Sequence, residues 1–233
     1  MIDFHSHILP AVDDGSASVE ESVALLKMLS EQGIDTVCAT PHFDPLQDSP
    51  ASFLEKRNKA FELLKKETEG LELPCVKLGA EVMYFSGIGN VEDMSMLKIE
   101  GTNLLLLEMP MAAWSDFTVK ELVNMSSKGH IRIMLAHIER YLALQKAATL
   151  EKLLDNGVVM QVNASFFINP KTRRRALKML KNGEIHLLGS DCHNTEFRPP
   201  RMSEALKIID DKLGEDFVFS IESRGNYFLK NFR

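Results

Sequence analysis

No apolar run in this sequence is long enough to cross a bilayer. The longest runs, such as Leu104 to Leu107, stop after four residues, whereas a spanning helix needs about 20 apolar residues. Cysteine is scarce: Cys38, Cys75 and Cys192 are an odd number, widely spaced and without a CxxC pair. They read as reduced thiols in a cytoplasmic protein rather than a disulfide framework. A basic excess is missing too, with 27 Lys and Arg against 33 Asp and Glu, a net charge of −6 and a pI near 5.7. That balance argues against a nucleic-acid binder working through a broad basic face, and leaves room only for a small local basic pocket. Met1 runs straight into Ile2-Asp3-Phe4-His5 with no basic or apolar leader, so neither a secretory signal nor membrane insertion is expected. Low-complexity tracts and long linkers are absent as well, and residues 1–233 are expected to form one domain.

What is present is a repeat of short apolar strand followed by amphipathic helix. The strand candidates are 2–5, 36–40, 75–82, 103–108, 131–137, 158–163 and 185–190. Several are continuous apolar runs, as expected of parallel strands buried on both faces. Ser18-Val19-Glu20-Glu21 is a capping box opening a helix that Gly33 stops, and Ser49-Pro50 opens another. Further helices are predicted over 117–127, 150–156, 172–182 and 201–213. Such a succession of βα units predicts an α/β fold with a parallel sheet, and periodicity leaves open sheet and closed barrel equally allowed. In both, chemistry belongs at the carboxyl ends of the strands.

Those ends carry a distinctive set of side chains. The first strand finishes in Asp3-Phe4-His5-Ser6-His7, where alternation on an extended chain lets His5 and His7 face one cation. Asp14 follows in the turn Asp13-Asp14-Gly15. Later strand ends add His42, Glu81, Glu108, His137, Asp191 and His193. Each alone would be an ordinary hydrogen-bonded or solvated residue. Together they hold five of the seven histidines, and so large a coincidence points to metal. Mixed nitrogen and oxygen donors suit manganese, iron or zinc. Nine such donors exceed the needs of one ion, and paired ions about 3.5–4 Å apart are the usual device for phosphate-ester hydrolysis. Arg140 and Arg198 each trail a candidate ligand, and guanidinium grips phosphate bidentately. Arg173-Arg174-Arg175 reads as the solvated face of a helix. His130 and His186 read as structural. Trp114, Phe43, Phe166 and Phe167 lie near strand ends, where they could flank an aromatic substrate, with ordinary packing as the default.

The chain resembles the polymerase and histidinol phosphatase (PHP) superfamily, and within it the bacterial manganese-dependent protein tyrosine phosphatases of the CpsB/CapC type. The resemblance runs end to end on DFHSHILPAVDDG, ATPHF, GAEV, LLLLEMP, LAHIERY and GSDCHNTEFRPPRM. It implies a distorted (β/α)7 barrel holding three metal ions, manganese first. His5, His7, Glu81 and Asp191 would hold one ion. Glu81 would bridge to a second with Glu108 and His137, and Asp14, His42 and His193 would hold the third. Arg140 and Arg198 would bind phosphate. The implied substrate is phosphotyrosine on an autophosphorylating bacterial tyrosine kinase that controls capsule or exopolysaccharide synthesis. Attack by a metal-bridging hydroxide would be direct. A histidinol phosphatase, a nuclease or another small phosphoesterase would use the same ligand set. A metal-binding module that docks a kinase without turnover would be expected to have lost ligands or arginines.

One motif competes. Cys192 to Arg198 matches the Cx5R spacing of cysteine-dependent tyrosine phosphatases. The loop between them lacks glycine, and Asp191 and Glu196 would raise a neighbouring thiol's pKa rather than lower it. Cys192→Ser separates the two chemistries: the metal mechanism predicts little loss of phosphatase turnover, the cysteine mechanism near-total loss.

Overall fold

A computed structural model describes residues 1–127 and 129–230; residues 128 and 231–233 of the expected single-domain span lie outside it. Strand and helix alternate as the apolar pattern predicts. The strands are β1 (Ile2–Ser6), β2 (Thr36–Ala39), β3 (His42–Phe43), β4 (Cys75–Leu78), β5 (Glu81–Met83), β6 (Leu104–Glu108), β7 (Arg132–Leu135), β8 (Val159–Asn163) and β9 (Leu187–Gly189). The helices are α1 (Val19–Glu31), α2 (Pro50–Glu67), α3 (Asp116–Ser127), α4 (Ala147–Asp155), α5 (Ser165–Ile168), α6 (Arg173–Lys181), α7 (Met202–Leu213) and α8 (Glu215–Lys230). Every strand pairing is parallel.

The strands form two sheets, β1-β2-β4 and β3-β5-β6-β7-β8-β9. They share two chain segments that bend between them. The expected strand 36–40 stops at Ala39 and resumes as β3 beyond Pro41, which has no N–H to give a ladder. The expected strand 75–82 likewise breaks at Gly79-Ala80 into β4 and β5. A β-carbon at Gly79 would lie 3.0 Å from Ile99 Cγ1 and 3.2 Å from Thr40 Cγ2, so the bend depends on the absence of a side chain there. The seam between β9 and β1 is spanned by a bridge from Ser6 to Cys192. Two hydrogen bonds reinforce it, His7 N–H to Cys192 O at 2.9 Å and Asp191 N–H to His5 O at 2.8 Å. The outcome is a curled parallel sheet, a distorted barrel with an irregular seam.

Local signals explain the helices. Ser18 Oγ accepts the Glu21 N–H at 3.3 Å, while Glu21 reaches back to the Ala17 N–H at 2.8 Å, one residue before the capping position. Leu25, Leu26 and Leu29 turn their common face into a core shared with Val37, Ala39, Leu105 and Leu107. Cys38, Leu104 and Leu106, alternating with those residues on β2 and β6, join Ile2 and Phe4 of β1 and Met134 of β7 in a second cluster on the sheet's other face. Phe228 of α8 joins that inner cluster. Gly225 lets the helix approach, since a β-carbon there would lie 3.0 Å from Phe4, and Arg224 donates to Ile185 O at 2.6 Å. Helix α8 therefore closes the end of the barrel opposite the strand termini that carry chemistry. Among the described residues, no helix is long and apolar enough to cross a membrane.

Of the triple arginine, Arg174 and Arg175 are exposed, as expected of a solvated face, while Arg173 is half-buried. Arg173 donates to Phe167 O at 3.0 Å and Ile168 O at 2.7 Å, and Arg175 to Leu142 O at 3.3 Å. Two of the three thus satisfy carbonyls at the ends of neighbouring turns.

Gly189 is the tightest point of the seam. A β-carbon there would lie 2.5 Å from His5 Cβ and 3.1 Å from the His5 amide nitrogen. Gly189→Ala is expected to destabilise the fold by about 1–3 kcal/mol, the usual effect of overpacking, read as a lower urea midpoint.

Candidate metal centre

All nine candidate ligands gather at the carboxyl ends of the strands, above the sheet. Strand register accounts for much of this: β3 and β5 place His42 beside Glu81, and β5 and β6 place Met83 beside Glu108. Glu81 is the hub. Its Oε2 lies 3.1 Å from His5 Nε2, 3.3 Å from His7 Nε2 and 3.1 Å from His42 Nδ1. Its Oε1 lies 2.8 Å from His137 Nε2, which in turn lies 3.4 Å from Glu108 Oε1. Asp191 Oδ1 stands 3.8 Å and 3.5 Å from His5 and His7. Asp14 Oδ1 stands 3.5 Å from both His42 Nε2 and His193 Nε2.

Three groups have donor atoms mutually within 4.8 Å: His5, His7 and Glu81; His42, Glu81 and Glu108; and His7, Asp14, His42 and His193. They overlap the three sets implied by the family resemblance, with His7 and His42 each shared more widely than that pattern has it. His137 and Asp191 adopt left-handed backbone, φ 32° and 52°. For non-glycine residues this is strained, and strain of that kind collects at functional sites.

Hydrogen bonding fixes which imidazole nitrogens are bare. His7 Nδ1 sits 2.7 Å from the Asp13 carboxylate, and His193 Nδ1 sits 3.0 Å from the Asp191 carbonyl. His5 Nδ1 faces Gln161 Oε1 at 3.3 Å, an atom marked as oxygen because it also accepts the His137 N–H at 2.7 Å. Acceptors on the Nδ1 side oblige each Nδ1 to carry hydrogen, leaving Nε2 with its lone pair toward the site. Yet His5 Nε2 and His7 Nε2 are 3.1 Å apart. His193 Nε2, facing an Asp14 oxygen, is buried without a hydrogen-bond partner. Lone pairs opposed in this way repel unless positive charge lies between them. The donor set therefore fits divalent cations.

Protons are the alternative to cations here. Burial disfavours charge on His7, but hydrogen bonds to Asp13 and Glu81 overcome it and hold its pKa up at about 10, so a cation binding at His7 Nε2 displaces a proton from it. Burial likewise opposes ionisation of Glu81, yet the His5 charge and imidazole hydrogen bonds keep it well below the ordinary range. Asp191 behaves similarly, at about 2, against its burial and under the pull of His5 and His7. Burial, with the positive charges of His7 and Arg198, holds His193 neutral, near 4. Glu81 and Asp191 are thus held ionised and draw positive charge into the site, whether protons on the imidazoles or divalent cations.

The two arginines converge on one carboxylate. Arg140 Nη2 reaches Asp191 Oδ2 at 2.7 Å and Arg198 Nη2 reaches Asp191 Oδ1 at 2.9 Å. Both remain about two-fifths exposed, facing a cleft of about 1020 Å³ lined also by Asp14, His42, Glu108 and Phe197.

Behind the candidate ligands lies a supporting layer of polar side chains. Asp13, rather than its neighbour, orients His7, and it also accepts the His42 N–H at 2.9 Å. Gln161 Nε2 donates to Asn163 Oδ1 at 3.0 Å, and Asn163 Nδ2 donates to Asp191 Oδ2 at 2.7 Å. Gln161 in the middle of β8 and Asn163 at its end interrupt an otherwise apolar strand, the signal that could have revealed them. Elsewhere the defaults hold: Phe43, Phe166 and Phe167 are buried in the core, and His186 Nδ1 accepts the Met160 N–H at 2.9 Å.

Fold and centre together place the protein among the metal-binding α/β barrels. The family described as capsular polysaccharide synthesis, CpsB/CapC, matches residues 1–226, and the chain belongs to it. The tyrosine-protein phosphatase CpsB of Streptococcus pneumoniae is 33% identical, covering 92% of this chain and 91% of its own. The tyrosine-protein phosphatase YwqE of Bacillus subtilis is 26% identical, over 99% and 92%. In three dimensions the chain superposes on a chain from the crystal structures of YwqE and CpsB, which are described as unique metal-dependent tyrosine phosphatases. The TM-score is 0.85 at 24% identity, over 100% of this chain and 96% of that one.

Removal of the Asp13 carboxylate frees the His7 ring to rotate. Asp13→Ala is expected to weaken metal binding about 10–100-fold, measured by titrating Mn²⁺ into metal-stripped protein.

Proposed function

We propose that the chain is a metal-dependent protein tyrosine phosphatase, acting in the cytoplasm on an autophosphorylating tyrosine kinase of capsule or exopolysaccharide synthesis. One observation carries the reading: five imidazoles and four carboxylates meet above the sheet while two arginines converge beside them on Asp191. The family's link to capsular polysaccharide synthesis and the names of its phosphatase relatives supply the substrate class.

His5, His7, Glu81 and Asp191 would hold one cation. Glu81 would share a second with Glu108 and His137, and Asp14, His42 and His193 would hold a third. Manganese is the first choice, with iron or zinc as alternatives. Cations bound there supply the acidity that makes hydroxide available at neutral pH, and they screen the phosphoryl oxygens. Arg140 and Arg198 orient the phosphate, their exposed N–H groups facing the cleft. The leaving phenolate is a fair one, since tyrosine's pKa is about 10, so the chain needs no strong acid.

Direct hydrolysis fits the side chains better than a phosphoenzyme. Cys192 is fully buried, and burial, with the nearby Asp3 charge, pushes its thiol far above the range useful for a nucleophile. Ser190 Oγ is committed to Asp3 Oδ2 at 2.6 Å.

The test is turnover of a phosphotyrosine peptide and p-nitrophenyl phosphate by protein stripped of metal and resupplied separately with Mn²⁺, Zn²⁺, Fe²⁺ or Mg²⁺. Turnover is expected to vanish on stripping and to return most fully with Mn²⁺. Activity indifferent to stripping, or confined to histidinol phosphate or an oligonucleotide, would sink the reading.

A further inference from the structure

Among the aromatic side chains near the strand ends, nearly all are spoken for. Phe43, Phe166 and Phe167 are 1%, 4% and 0% exposed. Trp114 packs on Tyr141 at 5.2 Å between ring centroids and donates its indole N–H to Pro110 O at 3.3 Å. Phe197 is different. It is 88% exposed, yet it lines the same cleft as Asp191, Glu108 and Arg140.

Its loop is held rather than loose. Asn194 Oδ1 accepts the N–H groups of Glu196, Phe197 and Arg198 at 3.2, 2.7 and 3.0 Å. The His193 N–H closes the turn on Arg198 O at 3.0 Å. One turn thus ties together the candidate ligand His193, the phosphate-facing Arg198 and the exposed ring between them. So large an apolar side chain left in water gains by being covered, and a neighbouring aromatic ring covers it with favourable edge or offset contact. A phosphotyrosine whose phosphate lies on Arg198 has its own ring back toward the cleft mouth, where Phe197 stands.

We infer that Phe197 is a substrate-recognition residue, an aromatic wall that favours aryl over alkyl phosphomonoesters. The inference rests on the phosphatase reading and adds to it the source of selectivity for the ring. It assigns the residue no part in the chemical step, and because the side chain is exposed, truncation leaves the core intact.

The experiment compares Mn²⁺-loaded wild type with Phe197→Ala and Phe197→Trp. Binding of phenylphosphonate and of methylphosphonate is measured by calorimetry, alongside kcat and KM for a phosphotyrosine peptide and its phosphoserine counterpart. Phe197→Ala is expected to lose roughly three- to tenfold in phenylphosphonate affinity and to raise KM for phosphotyrosine by a similar factor. Its kcat, and its affinity for methylphosphonate, should be unchanged, and Phe197→Trp should restore the preference. Equal losses for both phosphonates, or no loss for either, would refute the aromatic wall while leaving the phosphatase reading in place. A wild-type protein that binds both phosphonates yet turns over no phosphotyrosine would overturn the phosphatase reading and this inference with it.

Discussion

Glu81 is almost wholly buried, and its two oxygens touch four imidazoles drawn from β1, β3 and the end of β7. An ionised carboxylate in such a place is tolerable only if positive charge or hydrogen-bond donors surround it. That requirement organises the upper end of the barrel. The bend at Gly79-Ala80 lifts the chain from one sheet to the other immediately before Glu81, and the Glu81 N–H bonds to Pro41 O at 3.0 Å. The irregularity of the sheet and the position of its central carboxylate therefore have one cause.

Around that carboxylate the chain spends polar groups on orientation. Asp13 fixes His7, and Gln161 faces His5 while joining through Asn163 to Asp191. Gly15 and Gly189 leave room for this packing, since a β-carbon on either would fall 2.5 Å from the β-carbon of His7 or His5. Preorganised surroundings of this kind keep the imidazole lone pairs aimed at fixed points, which is how outer polar groups tune a metal site.

Much of the fold was legible because buried parallel strands are continuous apolar runs, and β2, β6 and β7 stand out on that ground alone. The candidate ligands were legible because strand ends are where an α/β sheet puts chemistry, and histidine is rare enough to notice. The bends were not, since Pro41 and Gly79 look like ordinary turn residues until both sheets are seen. Helix α8 escaped because its outward face carries Phe219 and Tyr227, 67% and 54% exposed, which blurs the stripe formed by Ile221 and Phe228. Asp13 and Asp14 are adjacent and chemically identical, so only geometry separates the one that steadies the His7 ring from the one that faces His42 and His193. Phe197 gave no sign at all, because an isolated phenylalanine in a polar loop carries no period.

The seam between β1 and β9 has a bearing on how the molecule comes into being. Asp3 meets Ser190 across 187 positions of chain, and His5 and His7 lie on one side of that join with Asp191 and His193 on the other. Contacts so distant in sequence form late, after the local strands and helices have condensed. The candidate donor set is therefore complete only once β1 and β9 have met, so the seam and the site form or fail together.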